Sequence, residues 1–183
     1  MTYAIHSVCI FCGARSGQSP LFRDVAYEVG RLLGRKGLRL VYGGSKDGLM
    51  GAAADGVLAS KGEVLGVLPH KLASKELAHS GIQRLLTVDT MARRKDVLMS
   101  ESDLFLILPG GLGTLDELFE VLTANTLGFM AKPVVLLNTD GFYTELIQWL
   151  EKIADSGFSR HPRDLFVVVA DVSELDSLLH MKS

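Results

Sequence analysis

The sequence predicts an α/β fold, a doubly wound and mostly parallel sheet with helices on both faces. Three observations carry that reading. Short apolar runs alternate along the chain with amphipathic stretches. Several of these runs are apolar almost without a break, as strands covered on both faces are. Three of them end in glycine-bearing turns that lead straight into a helical pattern.

In order, the strand-like runs are His6–Phe11, Leu38–Tyr42, Val64–Leu68, Leu85–Val88, Leu104–Leu108, Val134–Leu137 and Leu165–Ala170. Helical patterns fill the intervals: Pro20–Lys36, Leu49–Ser60, Thr90–Glu101, Thr114–Leu127, Tyr143–Ala154 and Ser173–Met181. The first helix has a marked start, since Ser19 offers a capping hydroxyl and Pro20 fits the first helical position. Its stop is equally marked, by Gly37 after Arg35 and Lys36. Repeated strand–helix units of this kind require parallel crossovers, hence a Rossmann-like sheet.

The chain has 183 residues, 48% hydrophobic and 22% charged, with a formal net charge of −2. That is the size and composition of one domain, residues 1–183, with a core large enough to need no metal or disulfide. The near-neutral charge excludes nucleic acid as the main partner, which would require a strongly basic face. No apolar run is long enough to span a bilayer, and the opening Met-Thr-Tyr-Ala-Ile-His lacks the regions of a signal peptide. A cytoplasmic protein with no membrane partner is expected. Cys9 and Cys12 form a C-x-x-C, but His6, His70, His79, His161 and His180 are scattered, so four zinc ligands do not assemble. On a strand the two cysteines point to opposite faces. Two small buried hydrophobes are expected.

Ligands of such sheets bind beyond the carboxyl ends of the strands. The glycine turns stand there: Cys12–Gly17, Gly43–Gly51 and Pro109–Glu117. Glycines let backbone N–H groups approach an anion, and a helix N-terminus adds partial positive charge. Three such turns at one sheet edge point to a phosphate-bearing ligand. Known fingerprints fail, however. G-x-G-x-x-G is broken by Asp116, and neither G-x-x-x-x-G-K-[ST] nor G-x-S-x-G occurs.

Two side chains stand out near these turns. Thr114 and Glu117 have capping-box spacing, so Glu117 either starts a helix or projects into the crevice as a functional carboxylate. Met91, Arg94, Lys95 and Leu98 fall at i, i+3, i+4 and i+7, which puts Arg94 on the stripe that faces the core. A guanidinium there needs an anionic partner, either a carboxylate or a ligand phosphate. Arg93 shares its face with Val97 and reads as solvated.

Pro109-Gly110-Gly111-x-Gly113-Thr114-x-x-Glu117, preceded by Met91-x-x-Arg94-Lys95, resembles the LONELY GUY family. Its members are often labelled lysine decarboxylase-like but act as cytokinin riboside 5′-monophosphate phosphoribohydrolases. The resemblance covers most of the chain, including Val8–Gly13, Leu40–Gly44, Gly48–Gly51, Leu127-Gly128, Lys132-Pro133 and Leu136–Asn138. The chain departs from the family pattern at Ser45, where a third glycine is usual, at Ala92 in place of a histidine, and at Ala124 and Thr126 in place of tryptophan and glutamine. These changes bear on base preference and on the subunit interface.

The resemblance implies hydrolysis of the N-glycosidic bond of a nucleoside 5′-monophosphate, giving free base and ribose 5-phosphate. It implies Arg94 and Glu117 as catalytic residues. Gly44, Ser45, Met91, Lys95, Gly110, Gly111, Gly113 and Thr114 are the implied substrate binders, with the phosphate on the amides of Gly111, Gly113 and Thr114. Glu117 would stabilise the developing oxocarbenium charge and orient water, with Arg94 holding it ionised. No metal or organic cofactor is needed, and a homodimer is implied. Lysine decarboxylation is rejected, because it ordinarily requires pyridoxal phosphate on a larger scaffold. Two alternatives share the glycine turns: a nucleosidase for AMP or another monophosphate, and a non-catalytic carrier of a nucleotide or of molybdenum cofactor.

Overall fold

The computed structural model describes residues 5–73 and 77–180. Residues 1–4, which bear on the signal-peptide expectation, and Met181, the expected last helical residue, lie outside that range. Seven strands form one sheet: β1 (Ser7–Phe11), β2 (Arg39–Tyr42), β3 (Val64–Pro69), β4 (Arg84–Val88), β5 (Leu104–Ile107), β6 (Val134–Leu137) and β7 (Val167–Val169). Their order is β4-β3-β2-β1-β5-β6-β7, and every neighbouring pair is parallel. The chain therefore moves outward from β1 to one edge, then crosses back to β5. That reversal makes the β1/β5 junction the topological switch point, where the crossover helices diverge and leave a crevice.

The helices are α1 (Pro20–Arg35), α2 (Gly48–Ala59), a single turn α3 (His70–Ala73), α4 (Met91–Ser100), α5 (Leu112–Thr126), α6 (Thr144–Asp155) and α7 (Val172–His180). Alternation along the buried strands divides the core into two layers. Val8, Ile10, Leu104 and Leu106 pack under α1, α2 and α7, whereas Cys9, Phe11, Phe105 and Ile107 pack under α4, α5 and α6. Cys9 and Cys12 fall in opposite layers, buried and unpaired, as the strand reading requires. Among the described residues no helix is long and apolar enough to cross a membrane.

Most element ends differ from expectation by a residue or two. α1 starts where it should, with Ser19 Oγ accepting from Leu21 N–H at 3.3 Å and Gly37 at φ 67° closing the helix. The start of α5 is the informative difference. The helix begins at Leu112, not Thr114, with Gly111 as its N-cap and no side-chain cap.

α1 and α2 lie in direct backbone contact. A Cβ at Gly30 would run into the Ala53 carbonyl of α2, and one at Gly56 into the Tyr27 carbonyl of α1. This close crossing draws α2 down on the sheet and fixes the turn that precedes it. Gly30→Ala, although alanine is the better helix former by about 1 kcal/mol, is expected to lower stability by about 1–3 kcal/mol through overpacking. Urea unfolding monitored by circular dichroism measures this. A stabilised variant would mean that the helices can separate freely.

Candidate active site

A cavity of about 470 Å³ opens at the carboxyl end of β1 and β5, a volume typical of small-ligand sites. The first and third glycine turns form its floor. The two are bonded to each other, Gly13 N–H donating to Pro109 O at 3.0 Å. The second turn contributes only Leu49 and Met50.

Arg94 and Glu117 meet at the cavity wall. Thr90 caps α4, its Oγ1 accepting from Arg93 N–H at 3.0 Å, which sets Arg94 one turn into the helix. The Arg94 side chain runs inward, 6% exposed. Its Nε–H donates to the Val67 carbonyl of β3 at 3.1 Å, and Nη1 donates to Glu117 Oε1 at 2.8 Å. Space for the guanidinium comes from Gly43, where any Cβ would collide with Nη2. Glu117 is 5% exposed, and among the described residues no hydrogen bond reaches its Oε2. The capping-box alternative is thereby overturned: Thr114 is the third residue of α5, and Glu117 bonds Arg94 instead of a backbone amide.

Burial pushes the Glu117 carboxyl above its ordinary 4.5, while Arg94 pulls it down by charge and hydrogen bond. The net direction is upward, which corrects the expectation that Arg94 simply holds Glu117 ionised. Burial also drives the Cys12 thiol far up, with the Glu117 charge adding to it, so this cavity-lining sulfur stays protonated and is no nucleophile.

At the start of α5 the amides of Gly111, Leu112, Gly113 and Thr114 precede the first intrahelical bond, Leu115 N–H to Gly111 O at 3.1 Å. A Cβ at Gly111 or Gly113 would meet no protein atom within 4 Å. These glycines are not required for packing; what they keep clear is the approach to the amides. Gly110 differs, since a Cβ there would overlap the Thr114 side chain.

The structure brings Met91, Arg94, Gly110, Gly111, Gly113, Thr114 and Glu117 together around the cavity. It does not bring Gly44, Ser45 or Lys95 there. Gly44, at φ 77°, and Ser45 face residues 77–79 instead, with Gly44 O accepting from His79 N–H at 3.0 Å and Ser45 bridging Ala78. Two amides of the first turn of α2 are already taken, because Gly13 O accepts from Leu49 N–H at 3.0 Å and from Met50 N–H at 3.4 Å. Lys95 Nζ donates to Asp116 Oδ2 at 3.0 Å and pairs with Glu120 Oε2 at 2.7 Å. It braces α4 against α5 from outside the cavity. Sequence reasoning passed over Gly43, Phe22 and Phe142. The signal for Gly43 was present, as a glycine at a strand end facing a buried arginine. Phe142 had none, because its place depends on β6 lying beside β5. There the Tyr143 hydroxyl donates to Leu108 O at 2.7 Å, and Phe142 packs edge-to-face on Phe22 at 5.7 Å.

An all-parallel sheet with a cavity of small-ligand size at its switch point, lined by a helix N-terminus and a buried Arg–Glu pair, defines a Rossmann-like α/β protein. Residues 50–179 match the family described as possible lysine decarboxylase. The chain is 40% identical over 173 residues to cytokinin riboside 5′-monophosphate phosphoribohydrolase LOG2 of Arabidopsis thaliana, covering 94% of this chain and 81% of that one. It is 44% identical over 153 residues to the cytokinin riboside 5′-monophosphate phosphoribohydrolase of Rhodococcoides fascians, covering 83% and 77%. The chain belongs to this family, the LONELY GUY proteins. The molybdenum cofactor binding protein of Rippkaea orientalis superposes with a TM-score of 0.73 at 23% identity, over 96% of this chain and 95% of that one. At that identity the likeness is one of fold.

Removing Arg94 isolates the buried Glu117 carboxylate. Arg94→Met is expected to cost about 3–5 kcal/mol at neutral pH. The loss shrinks as pH falls, because burial raises the Glu117 pKa even with Arg94 present and removing Arg94 raises it further, so the variant's carboxyl takes up its proton, and sheds the cost of a buried charge, at a higher pH than in wild type. Denaturant titrations of both proteins at pH 5 and pH 8 test this, and an equal difference at the two pH values refutes it.

Proposed function

We propose that the chain hydrolyses the N-glycosidic bond of a cytokinin riboside 5′-monophosphate, an N6-modified AMP, releasing the free base and ribose 5-phosphate. The observation that carries this reading is the buried Glu117–Arg94 pair standing one and a half turns along α5 from an open helix N-terminus. In the proposed reaction the 5′-phosphate rests on the amides of Gly111, Gly113 and Thr114, where the helix end favours negative charge. Glu117, its Oε1 held by Arg94, faces the ribose and stabilises positive charge as the bond to the base lengthens. Its carboxylate also orients the water that attacks the anomeric carbon. Arg94 fixes the carboxylate, with Nε bonded to the Val67 carbonyl and Nη1 to Glu117. Met91 lines the same cavity and takes part in binding.

The names of the relatives support the reaction, and the absence of a third glycine at Ser45 bears little on it, because Ser45 bridges Ala78 and is not among the cavity-lining residues. We further propose that residues 1–183 act as one hydrolase domain and as a homodimer in the cytoplasm. Leu112 at 86% exposure and Phe129 at 82% flank α5 and suit cover by a second copy. The buried free thiols of Cys9 and Cys12 suit a reducing compartment.

Chromatography of AMP and N6-isopentenyl-AMP after incubation with the protein tests the reaction. Free isopentenyladenine is expected, formed faster than adenine, and Glu117→Gln is expected to lose at least about 100-fold in rate. The acid limb of the rate profile is expected above pH 4.5, since Glu117 must ionise and its pKa is raised. Intact nucleotides bound tightly by wild type and Glu117→Gln alike would instead mark a carrier.

A further inference from the structure

The cavity lining contains four charged side chains, Arg15, Arg94, Asp116 and Glu117. Three of them are satisfied within the protein. Arg94 is spent on Glu117 at 2.8 Å, and Asp116 is paired with Lys95 at 3.0 Å. Arg15 alone has no ion pair or hydrogen bond from its guanidinium among the described residues, and it is exposed. The lining is therefore formally neutral only because of this residue, two cations against two anions.

We propose that Arg15 is the phosphate clamp of this site, closing on the nucleotide's 5′-phosphate from the side opposite the α5 amides. The inference deepens the hydrolase reading and rests on its nucleotide ligand. Its backbone position is fixed. Gly13 N–H is bonded to Pro109 O, a Cβ on Gly13 would lie 3.6 Å from Gly110 Cα, and Gly48 abuts the Ala14–Arg15 peptide. The loop that carries Arg15 is thus locked against the loop that opens α5, while the side chain stays free to move. Charge balance favours the clamp. A phosphate dianion placed on neutral amides beside Asp116 and Glu117 meets two carboxylates, while the charge of Arg94 is already set against Glu117 at 2.8 Å. A guanidinium at the rim supplies bidentate, charge-assisted hydrogen bonds to phosphate oxygens and offsets the repulsion. Ser16, the next lining residue, places a hydroxyl beside it.

The test measures AMP binding by calorimetry on wild type, Arg15→Gln and Arg15→Lys, each also carrying Glu117→Gln so that no turnover intervenes. Arg15→Gln is expected to weaken AMP by about 10- to 100-fold, the loss of a charged contact. Arg15→Lys is expected to recover part of that affinity. The dependence of log Kd on log salt concentration is expected to flatten in Arg15→Gln by about one ion pair. A structural role would leave that slope unchanged. An Arg15→Gln protein that binds AMP within twofold of its parent, with the same salt dependence, overturns the clamp. Because binding is read without product, a protein that hydrolyses no nucleotide can still support the clamp, and a working hydrolase indifferent to Arg15 refutes it alone.

Discussion

The arrangement at the cavity depends on one buried ion pair. Arg94 and Glu117 are each about nine-tenths or more removed from solvent, 2.8 Å apart. An arginine is the cation that fits, because its planar guanidinium can bond the Val67 carbonyl through Nε and a carboxylate through Nη1 at once. The pair gives the protein no dependable gain in stability, since desolvating two charges offsets much of their attraction. What it does is fix geometry. Satisfying the guanidinium requires β3 to present a carbonyl, Gly43 to leave space, and α4 and α5 to start where Thr90 and Gly111 start them.

The three glycine turns divide the labour differently from one another. In the second, the Leu49 and Met50 amides are already bonded to Gly13, and the glycines serve packing: Gly43 receives Arg94, and Gly48 receives the Ala14 backbone. In the first, Gly13 links both neighbours and holds the floor of the cavity together. Only in the third do Gly111 and Gly113 face open space. A glycine with nothing to avoid has a different reason to be there, and the proposed approach of a phosphate to the backbone supplies one.

Much of this could be read from the chain. Near-continuous apolar runs identified six of the seven strands to within one residue at each end, and the helical stripe placed Arg94 inward with no partner specified. The seventh, the edge strand Val167–Val169, is shorter than the run Leu165–Ala170, because only its middle pairs with β6. The start of α5 was misplaced because a glycine N-cap leaves no side-chain mark, whereas the Thr114–Glu117 spacing imitates a capping box. Lys95 shares the motif with Arg94, yet a rotation of about 100° per residue turns it toward Asp116 and Glu120 instead of the cavity. Gly44 and Ser45 lie one step beyond the useful glycine, and what they bond, residues 77–79, is distant in sequence.

Local pattern therefore locates which turns matter, while the allocation of charge within them is a property of the assembled fold. Each cation around the cavity has a different fate: Arg94 is paired inside with a carboxylate, Lys95 outside with two, and Arg15, among the described residues, with none. The carboxylate that Arg94 holds is pushed toward its neutral form by burial and back toward its charged form by that same arginine. A bound phosphate adds negative charge nearby and shifts this balance further toward neutrality. An unpaired cation at the rim opposes the shift. The group that anchors the substrate and the group that keeps the carboxylate ionised are thus coupled through the same small volume, which is why neither can be assigned from its own stretch of sequence.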